Sequence, residues 1–369
     1  EVLRQTVAAE RDQPPFDRVT MDGIAIRHSA YAGGLRTFAV AGTQGAGAAS
    51  VTLPDEQGCV VIMTGAALPP GTDTVVPVER ISRDGARATV EAGYVPVAGQ
   101  FIHRRASDHS QGATLLAPGA VLGAPEMAIL TVGGSDSVVV SRRPAIAIIS
   151  TGDELVDVGQ PLGPTQIRAS NDRAIAAALA NRGFLDCARR HLPDDPAVLE
   201  RELGQLLAEQ DVLILTGGVS MGEFDYVPRV LQTLGMEVIF HKVLQRPGMP
   251  LWFGVSPDGK PVFALPGNPV SSLVCLVRYV APALVAALGA TPGPEPRVRL
   301  AQAVRFEPDL TFFLPVTLDY TADGQCVAIP KLTNTSGDFV ALGGTSGFVE
   351  LPRGRTDFPA GYVAAYFPW

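Results

Sequence analysis

The spacing of apolar residues changes character near residue 143. From about residue 34 to 100 the chain passes through short β-prone runs, TFAV, AASVTL, GCVVIM, DTVVPVERI and ARATVEA, divided by glycine and proline. That texture predicts a small β-rich module, and LPPGTDTVVP leaves no room for a long helix there. Upstream, in RDQPPFDRVTMDGIAI, Pro14 and Pro15 exclude a helix interior, and MDG reads as a turn into the apolar GIAI. Residues 101–140 carry FIHRRASDHSQGATLLAPG and then a helix at PEMAILTVGG, with Pro125 near its start.

After Arg143-Pro144 the pattern becomes one of buried strands alternating with helices. AIAIIS is a continuous apolar run ending in STGDEL, the mark of a parallel strand covered on both faces. Asn171 precedes the helical DRAIAAALANRGF, which Gly183 can end. ARRHL is a second strand, and Asp194-Asp195-Pro196 opens the helix AVLERELGQLLAEQ. DVLILTGG repeats the strand-to-glycine turn, VPRVLQTLG gives a helix and MEVIFHKVL a strand. KPVFALPGNPVSSLVCLVRYVAPALVAALG closes the module with a strand, a Pro/Gly turn and a long apolar helix. This alternation predicts a three-layer α/β domain over 141–292, mostly parallel, with ligands beyond the carboxyl ends of its strands. TPGPEPRVRL leads into residues 293–369, where VRLAQAV, TFFLPVTLDY, QCVAIP, GFVELP and YVAAYF predict a small β-barrel or sandwich.

Composition narrows the partners. A chain of 369 residues exceeds one comfortable core, and 46 % apolar with 18 % charged residues describes a folded protein. The net charge of −8 gives no steering towards nucleic acid or anionic lipid, so an anionic ligand needs a local positive site. Cys59, Cys187, Cys275 and Cys326 form no CxxC pair, which argues against structural zinc and a disulfide framework and for buried thiols. No uninterrupted run of eighteen apolar residues and no signal-type segment is present, so no membrane association and a cytoplasmic location are expected. The first residue is not methionine, and further N-terminal sequence is expected before it.

The chemistry gathers at the predicted strand ends. Asp153 and Glu154 follow the first buried strand, Asp225 lies beyond a second, and Asp194 and Asp195 precede the helix between them. LPGNPVSS adds small residues and backbone donors before the last helix. Such a rim can cradle phosphate and hold a metal. The GxGxxG and GxxxxGK[ST] patterns are both absent at these turns. Any one acidic turn residue is more often a helix cap or a solvated charge; the convergence of four acidic turns favours a site. His103-Arg104-Arg105 is the densest positive cluster before the α/β module, either a surface patch or an anion site. His191 and His241 read as ordinary polar edge residues, and Pro14, Pro15 and Pro77 as structural. Periodicity does not join Asp22 and Thr64 to the rim.

PPFDRVTMDGIAI, MTGAALPPGTDTVV, RPAIAIISTGDEL, LTGGVSMGEFDYV and FALPGNPVSS, in that order, resemble the successive motifs of the molybdopterin molybdenumtransferase (MoeA) family, which includes the E domain of gephyrin. The resemblance covers nearly the whole chain. It implies a multidomain α/β protein with a three-layer α/β molybdopterin-binding domain at 141–292. It further implies an inserted β-rich module at 15–104, a small linking α/β segment from 1–14 and 105–140, and a C-terminal β-barrel-like domain at 293–369. It also implies a homodimer that inserts molybdate into adenylylated molybdopterin, using Mg²⁺ and releasing AMP and molybdenum cofactor. Molybdopterin adenylyltransferase and molybdoenzyme acceptors are the implied partners.

Carried over by motif, the catalytic set is Asp22, Thr64, Asp108, Glu154, Asp194 and Asp225, with Glu154, Asp194 and Asp225 handling the metal. The first three are expected from the opposite subunit. The implied binding residues are Thr151, Gly152, Gly217, Gly218, Ser220, Lys242, Arg246, Pro266, Gly267, Asn268, Pro269 and Ser336. The chain departs from the family pattern at several points. Ile24 replaces the MDGYA tyrosine, and Arg105-Ala106-Ser107-Asp108 stands for RRGED. Met249 replaces the second lysine of KPGKP, whose first lysine is Arg246, and Thr311-Phe312-Phe313-Leu314 stands where EFxR carries an arginine. These changes remove two expected cations. They leave open a divergent paralogue that binds and delivers finished or nucleotide-modified cofactor without turnover, and a gephyrin-like scaffold.

Overall fold

The computed structural model describes residues 1–219 and 225–369. The chain divides into two compact units, residues 3–140 and residues 141–369 with Glu1–Val2.

In the first unit, six strands form one sheet: β1 (Gly23–Ile26), β2 (Thr37–Gln44), β3 (Gly58–Ile62), β4 (Thr74–Pro77), β5 (Ile81–Asp84) and β6 (Arg87–Val90). Their order is β4-β1-β3-β2-β6-β5, and only β2 and β3 run parallel. GIAI, GCVVI and TVVP are buried throughout, which explains their unbroken apolar runs. A Cβ at Gly23 would lie 1.9 Å from the Val76 carbonyl oxygen, so the glycine of MDG lets β1 and β4 close. The expected strand AASVTL does not form. The Val51 N–H is taken at 2.8 Å by the Gln44 side chain rather than by a neighbouring strand. The helix at Ala124–Val132 starts where Pro125 predicts, and the Glu126 carboxylate accepts from the Gly123 N–H at 2.9 Å.

The second unit is built on a sheet of β7 (Ile146–Thr151), β8 (Cys187–Leu192), β9 (Val212–Thr216), β10 (Glu237–His241), β11 (Trp252–Val255) and β12 (Pro261–Leu265). The order is β8-β7-β9-β12-β11-β10, with the first four parallel and β11 alone reversed, pairing antiparallel with both β12 and β10. Alternation within the apolar strands makes the three layers. Ile146, Ile148, Ile214 and Leu265 join a core with the helix Asn171–Ala180 (α1) and the helix from Pro269. Ala147, Ile149, Leu215 and Ala264 join the opposite core, with Pro196–Glu209 (α2) and Val227–Thr233 (α3). Helix α1 begins with Ser170, not Asn171, in the cap position, which frees the Asn171 amide for another task.

Residues Pro269–Ala287 are long and apolar enough, by length and composition, to cross a membrane, with a mean hydropathy of 1.8. Ser271, Ser272 and Arg278 interrupt the apolar run. The first turns, Pro269–Cys275 (α4), pass through a π-helical turn at Leu276–Val280 and pack into the sheet core. Arg278 pairs with Glu350 at 2.7 Å, tying this helix to the C-terminal strands.

Those strands are β13 (Arg297–Leu300), β14 (Thr311–Tyr320), β15 (Cys326–Pro330), β16 (Gly347–Leu351) and β17 (Val363–Pro368). The pairing β14-β15-β13-β17-β16 returns to β14, closing a barrel without edges in that ring. Val298, Leu300, Leu314, Val316, Val349 and Leu351 fill its interior.

Candidate functional site

The parallel strands of the second unit end together, and the turns that follow them enclose a basin of about 420 Å³. Thr151 ends β7 and Gly152 follows it, Thr216 ends β9 before Gly217 and Gly218, and Pro266, Gly267 and Asn268 follow β12. Among the described residues its charged lining is Glu154, Asp194 and Asp225, all acidic. Asp194 is half-buried, and its carboxyl is held above the usual carboxylate range, first by desolvation and then by repulsion from Asp153, Glu154 and Asp225. His191 opposes that rise. Asp195, not Asp194, caps α2: its Oδ1 accepts from the N–H groups of Ala197 (2.9 Å) and Val198 (3.0 Å). Asp194 is therefore not accounted for as a cap.

The glycines of LTGG permit this closeness. A Cβ at Gly217, where φ is +101°, would sit 2.6 Å from the Thr151 carbonyl oxygen, and one at Gly218 would sit 2.8 Å from Val227 Cγ2. The Thr151 hydroxyl is buried against them and has no hydrogen-bond partner among the described residues. Gly217→Ala is expected to lose about 1–3 kcal/mol of stability through strain, together with most ligand binding. Gly159→Ala, also left-handed (φ +90°) but in open space, should lose only roughly 1 kcal/mol. Urea unfolding of both variants compares the two positions.

A second basin of about 590 Å³ adjoins the first, sharing Pro250, Pro266 and Asn268. Among the described residues its charged lining is Arg246 and Arg305, both cationic. Phe306 and Phe312 stack in its wall with ring centroids 4.2 Å apart, and Met249, Leu310 and Leu332 add apolar surface. Ser336 joins the lining and holds the LPGNP turn: Asn268 Nδ2 donates to its Oγ at 2.7 Å, and Val270 N–H to its carbonyl at 3.1 Å.

Three braces of these turns were not apparent in the sequence. Asn171 Nδ2 donates to Thr216 Oγ1 (2.9 Å) and to the Gly267 carbonyl (2.7 Å), joining two strand ends. His191 bonds the Gly152 carbonyl at 2.9 Å, and His241 the Val219 carbonyl at 3.3 Å. Both histidines stand at strand carboxyl ends, a position that could have marked them. Arg305 was also missed because it enters from the barrel domain.

Several expected residues lie elsewhere. Lys242 is exposed, in a left-handed conformation, and lines neither basin. Pro269 starts α4 rather than facing either basin. Ser220 is outside the described residues. Leu314 is fully buried in the barrel core, yet it also borders the arginine basin beside Phe312.

In the unit 3–140, the carboxylate of Asp22 accepts from the Thr64 N–H (2.6 Å) and hydroxyl (2.7 Å). Those bonds hold its carboxyl below the usual range, the backbone bond most of all. The pair joins two loops that periodicity could not connect. The positive cluster is already matched: Arg104 pairs with Asp17 and Arg105 with Asp12, each at 2.6 Å. Arg18 donates to His103 Nδ1 at 3.0 Å, so His103 Nε2 carries the proton that meets Asp108 at 2.9 Å. This cluster is an ion-paired surface.

Strand-end ligand basins on a three-layer α/β domain, flanked by a closed β-barrel, define a multidomain α/β ligand-binding protein. Family models match nearly all of it: the MoeA N-terminal region (domain I and II) at residues 1–134, a probable molybdopterin binding domain at 147–286, and the MoeA C-terminal region (domain IV) at 297–369. The chain belongs to the molybdopterin molybdenumtransferase (MoeA) family. It is 40 % identical over 369 residues to the molybdopterin molybdenumtransferase of Synechocystis sp., covering 100 % of this chain and 92 % of the relative. The Nostoc sp. molybdopterin molybdenumtransferase is 33 % identical over 372 residues, with coverages of 98 % and 84 %. A solved molybdopterin biosynthesis MoeA protein from Pyrococcus horikoshii superposes with a TM-score of 0.80 at 30 % identity, over 100 % of this chain and 91 % of that one.

Proposed function

We propose that the protein transfers molybdate into adenylylated molybdopterin, releasing AMP and molybdenum cofactor. The observation that carries this reading is the opposite charge of two adjoining basins, one lined by Glu154, Asp194 and Asp225 and the other by Arg246 and Arg305. A ligand with both phosphate and a flat heterocycle suits the arginine basin. Guanidinium groups can pair with phosphate oxygens, and the Phe306–Phe312 stack and Met249 give an apolar wall. The glycine turns keep the backbone close to the ligand.

Mg²⁺ fits the acidic basin by its donor chemistry. The hard carboxylate oxygens of Glu154, Asp194 and Asp225 repel one another around a desolvated Asp194, and a cation relieves that repulsion. Among the described residues, no group of three or more His, Cys, Asp and Glu side chains forms a ready metal cage. A Mg²⁺ ion held here would need phosphate and water to complete its shell. When bound, it would offset phosphate charge and polarise the adenylyl–phosphate link.

The family pattern supports a cytoplasmic homodimer in which Asp22, Thr64 and Asp108 of one subunit serve the acidic basin of the other. Exposed Met21, Met63 and Val78 in the same unit as the Asp22–Thr64 pair agree with an interface there. Light scattering should return twice the 38.7 kDa chain mass; the single mass across micromolar concentrations would contradict the dimer. Molybdopterin adenylyltransferase would supply the substrate, and molybdoenzymes would accept the product.

Wild-type protein given adenylylated molybdopterin, molybdate and Mg²⁺ is expected to release AMP, which chromatography detects. Tight binding of finished cofactor without AMP release would favour the carrier. Met249 is partly exposed on the arginine basin, so Met249→Lys adds a cation beside Arg246. It is expected to tighten binding of adenylylated molybdopterin about tenfold by titration calorimetry. Unchanged affinity would mean that Arg246 and Arg305 already satisfy the phosphate.

A further inference from the structure

Residues 246–250 form a strap along the arginine basin, and Pro250 borders the acidic basin as well. Regular pairing holds little of it: Gln245 and Arg246 alone pair with the start of β14, and Val243 N–H bonds the Met249 carbonyl at 2.9 Å. Beneath the strap lies Gln245, 1 % exposed. Its Nε2 donates to the carbonyls of Pro247 (3.1 Å) and Gly248 (3.3 Å), with Cys275 Sγ also in reach at 3.5 Å. Its Oε1 accepts from the Tyr279 hydroxyl, which comes from the π-helical turn. Burial pushes the Tyr279 phenol up to about 12, so it remains a donor at neutral pH.

The backbone is pressed onto this amide. Gly248 is left-handed (φ +93°), and a Cβ there would meet Cys275 Sγ at 2.5 Å and Gln245 Nε2 at 2.8 Å. An apolar side chain would fill such a site without needing partners, whereas a buried amide requires each of its bonds. Here the donated bonds to oxygen go to the strap that carries Arg246 and Met249.

We propose that Gln245, fixed by Tyr279, is a positioning residue that sets the shape of the 246–250 strap and thereby the affinity of the arginine basin for its ligand. The proposal rests on the transferase reading for the identity of that ligand. Loosening the strap should weaken substrate binding more than the chemical step, because the acidic basin has its own supports.

The test uses full-length wild type, Gln245→Leu, Tyr279→Phe and the double variant, with AMP release from adenylylated molybdopterin as the rate. Gln245→Leu should raise KM about tenfold with kcat within about threefold, and Tyr279→Phe should raise KM about threefold. The double variant should be no worse than Gln245→Leu, because the two groups act through one chain of bonds. Backbone amide exchange over 246–250 should quicken in each. KM within about twofold of wild type in both single variants would overturn the proposal. Should Gln245→Leu fail to fold, Tyr279→Phe decides by the same KM and exchange criteria. Should wild type release no AMP, the transferase reading falls, and unchanged exchange over 246–250 in the variants overturns the positioning role.

Discussion

Asp194→Asn is expected to lower AMP release at least ~100-fold, about 2.7 kcal/mol of transition-state stabilisation, while the melting temperature holds or rises. The two effects share one cause. Asp194 sits half-desolvated among Asp153, Glu154 and Asp225, an arrangement that disfavours its charge in the folded protein without a cation. Asparagine keeps the size and removes the charge. Because the folded carboxyl lies above its unfolded value, the relative stabilisation from this group is complete below the ordinary carboxylate pKa. It is lost as pH rises through the raised folded value. Asp194→Asn should abolish that portion of the pH dependence. Asp225→Asn, on the same basin, should show a similar loss of turnover in a folded protein. Asp195→Ala is the contrast: it removes a helix cap, so it should lose about 1 kcal/mol of stability and retain turnover. Rates and thermal melts on the same preparations separate these outcomes; near-wild-type turnover in Asp194→Asn would remove Asp194 from the chemistry.

Leu314→Arg should unfold the barrel rather than restore a phosphate contact. Although Leu314 borders the arginine basin, it has no exposed surface and packs with Val298, Leu300, Val316, Val349 and Leu351 inside the closed ring. A guanidinium there would lose its hydration with no carboxylate among those neighbours to pair it, a loss of several kcal/mol. The cations that line this basin among the described residues are Arg246 and Arg305. Urea unfolding should therefore show a large stability loss in Leu314→Arg. Arg305→Ala should instead stay folded and bind adenylylated molybdopterin at least ~10-fold more weakly. A stable Leu314→Arg protein with tighter ligand binding would reverse this assignment.

The contrast between Leu314 and Arg305 shows where the sequence was legible. Apolar runs such as AIAIIS and DVLILT are buried on both faces, so strand identity and the three layers follow from residue pattern alone. The acidic turns were legible for the same reason, since a parallel strand must end on the ligand side of its sheet. TFFLPVTLDY was legible as a strand but not in facing: Phe313 packs towards the sheet-domain core and Leu314 into the barrel. Alternation fixes two faces without saying which one meets a ligand. Asn171, His191 and His241 were obscure because their partners are backbone carbonyls distant in sequence, 96, 39 and 22 residues away. Asp22 and Thr64 meet through two hydrogen bonds across 42 residues, which no local periodicity encodes.

The central claim is that the acidic and arginine basins act together on one adenylylated substrate. It is tested most directly by following AMP release and molybdenum incorporation in the same reaction with wild type and Asp194→Asn. The account predicts one AMP for each molybdenum incorporated by wild type, and both signals lost together in the variant. Molybdenum cofactor bound tightly with no AMP released, or AMP release unchanged in Asp194→Asn, would contradict it.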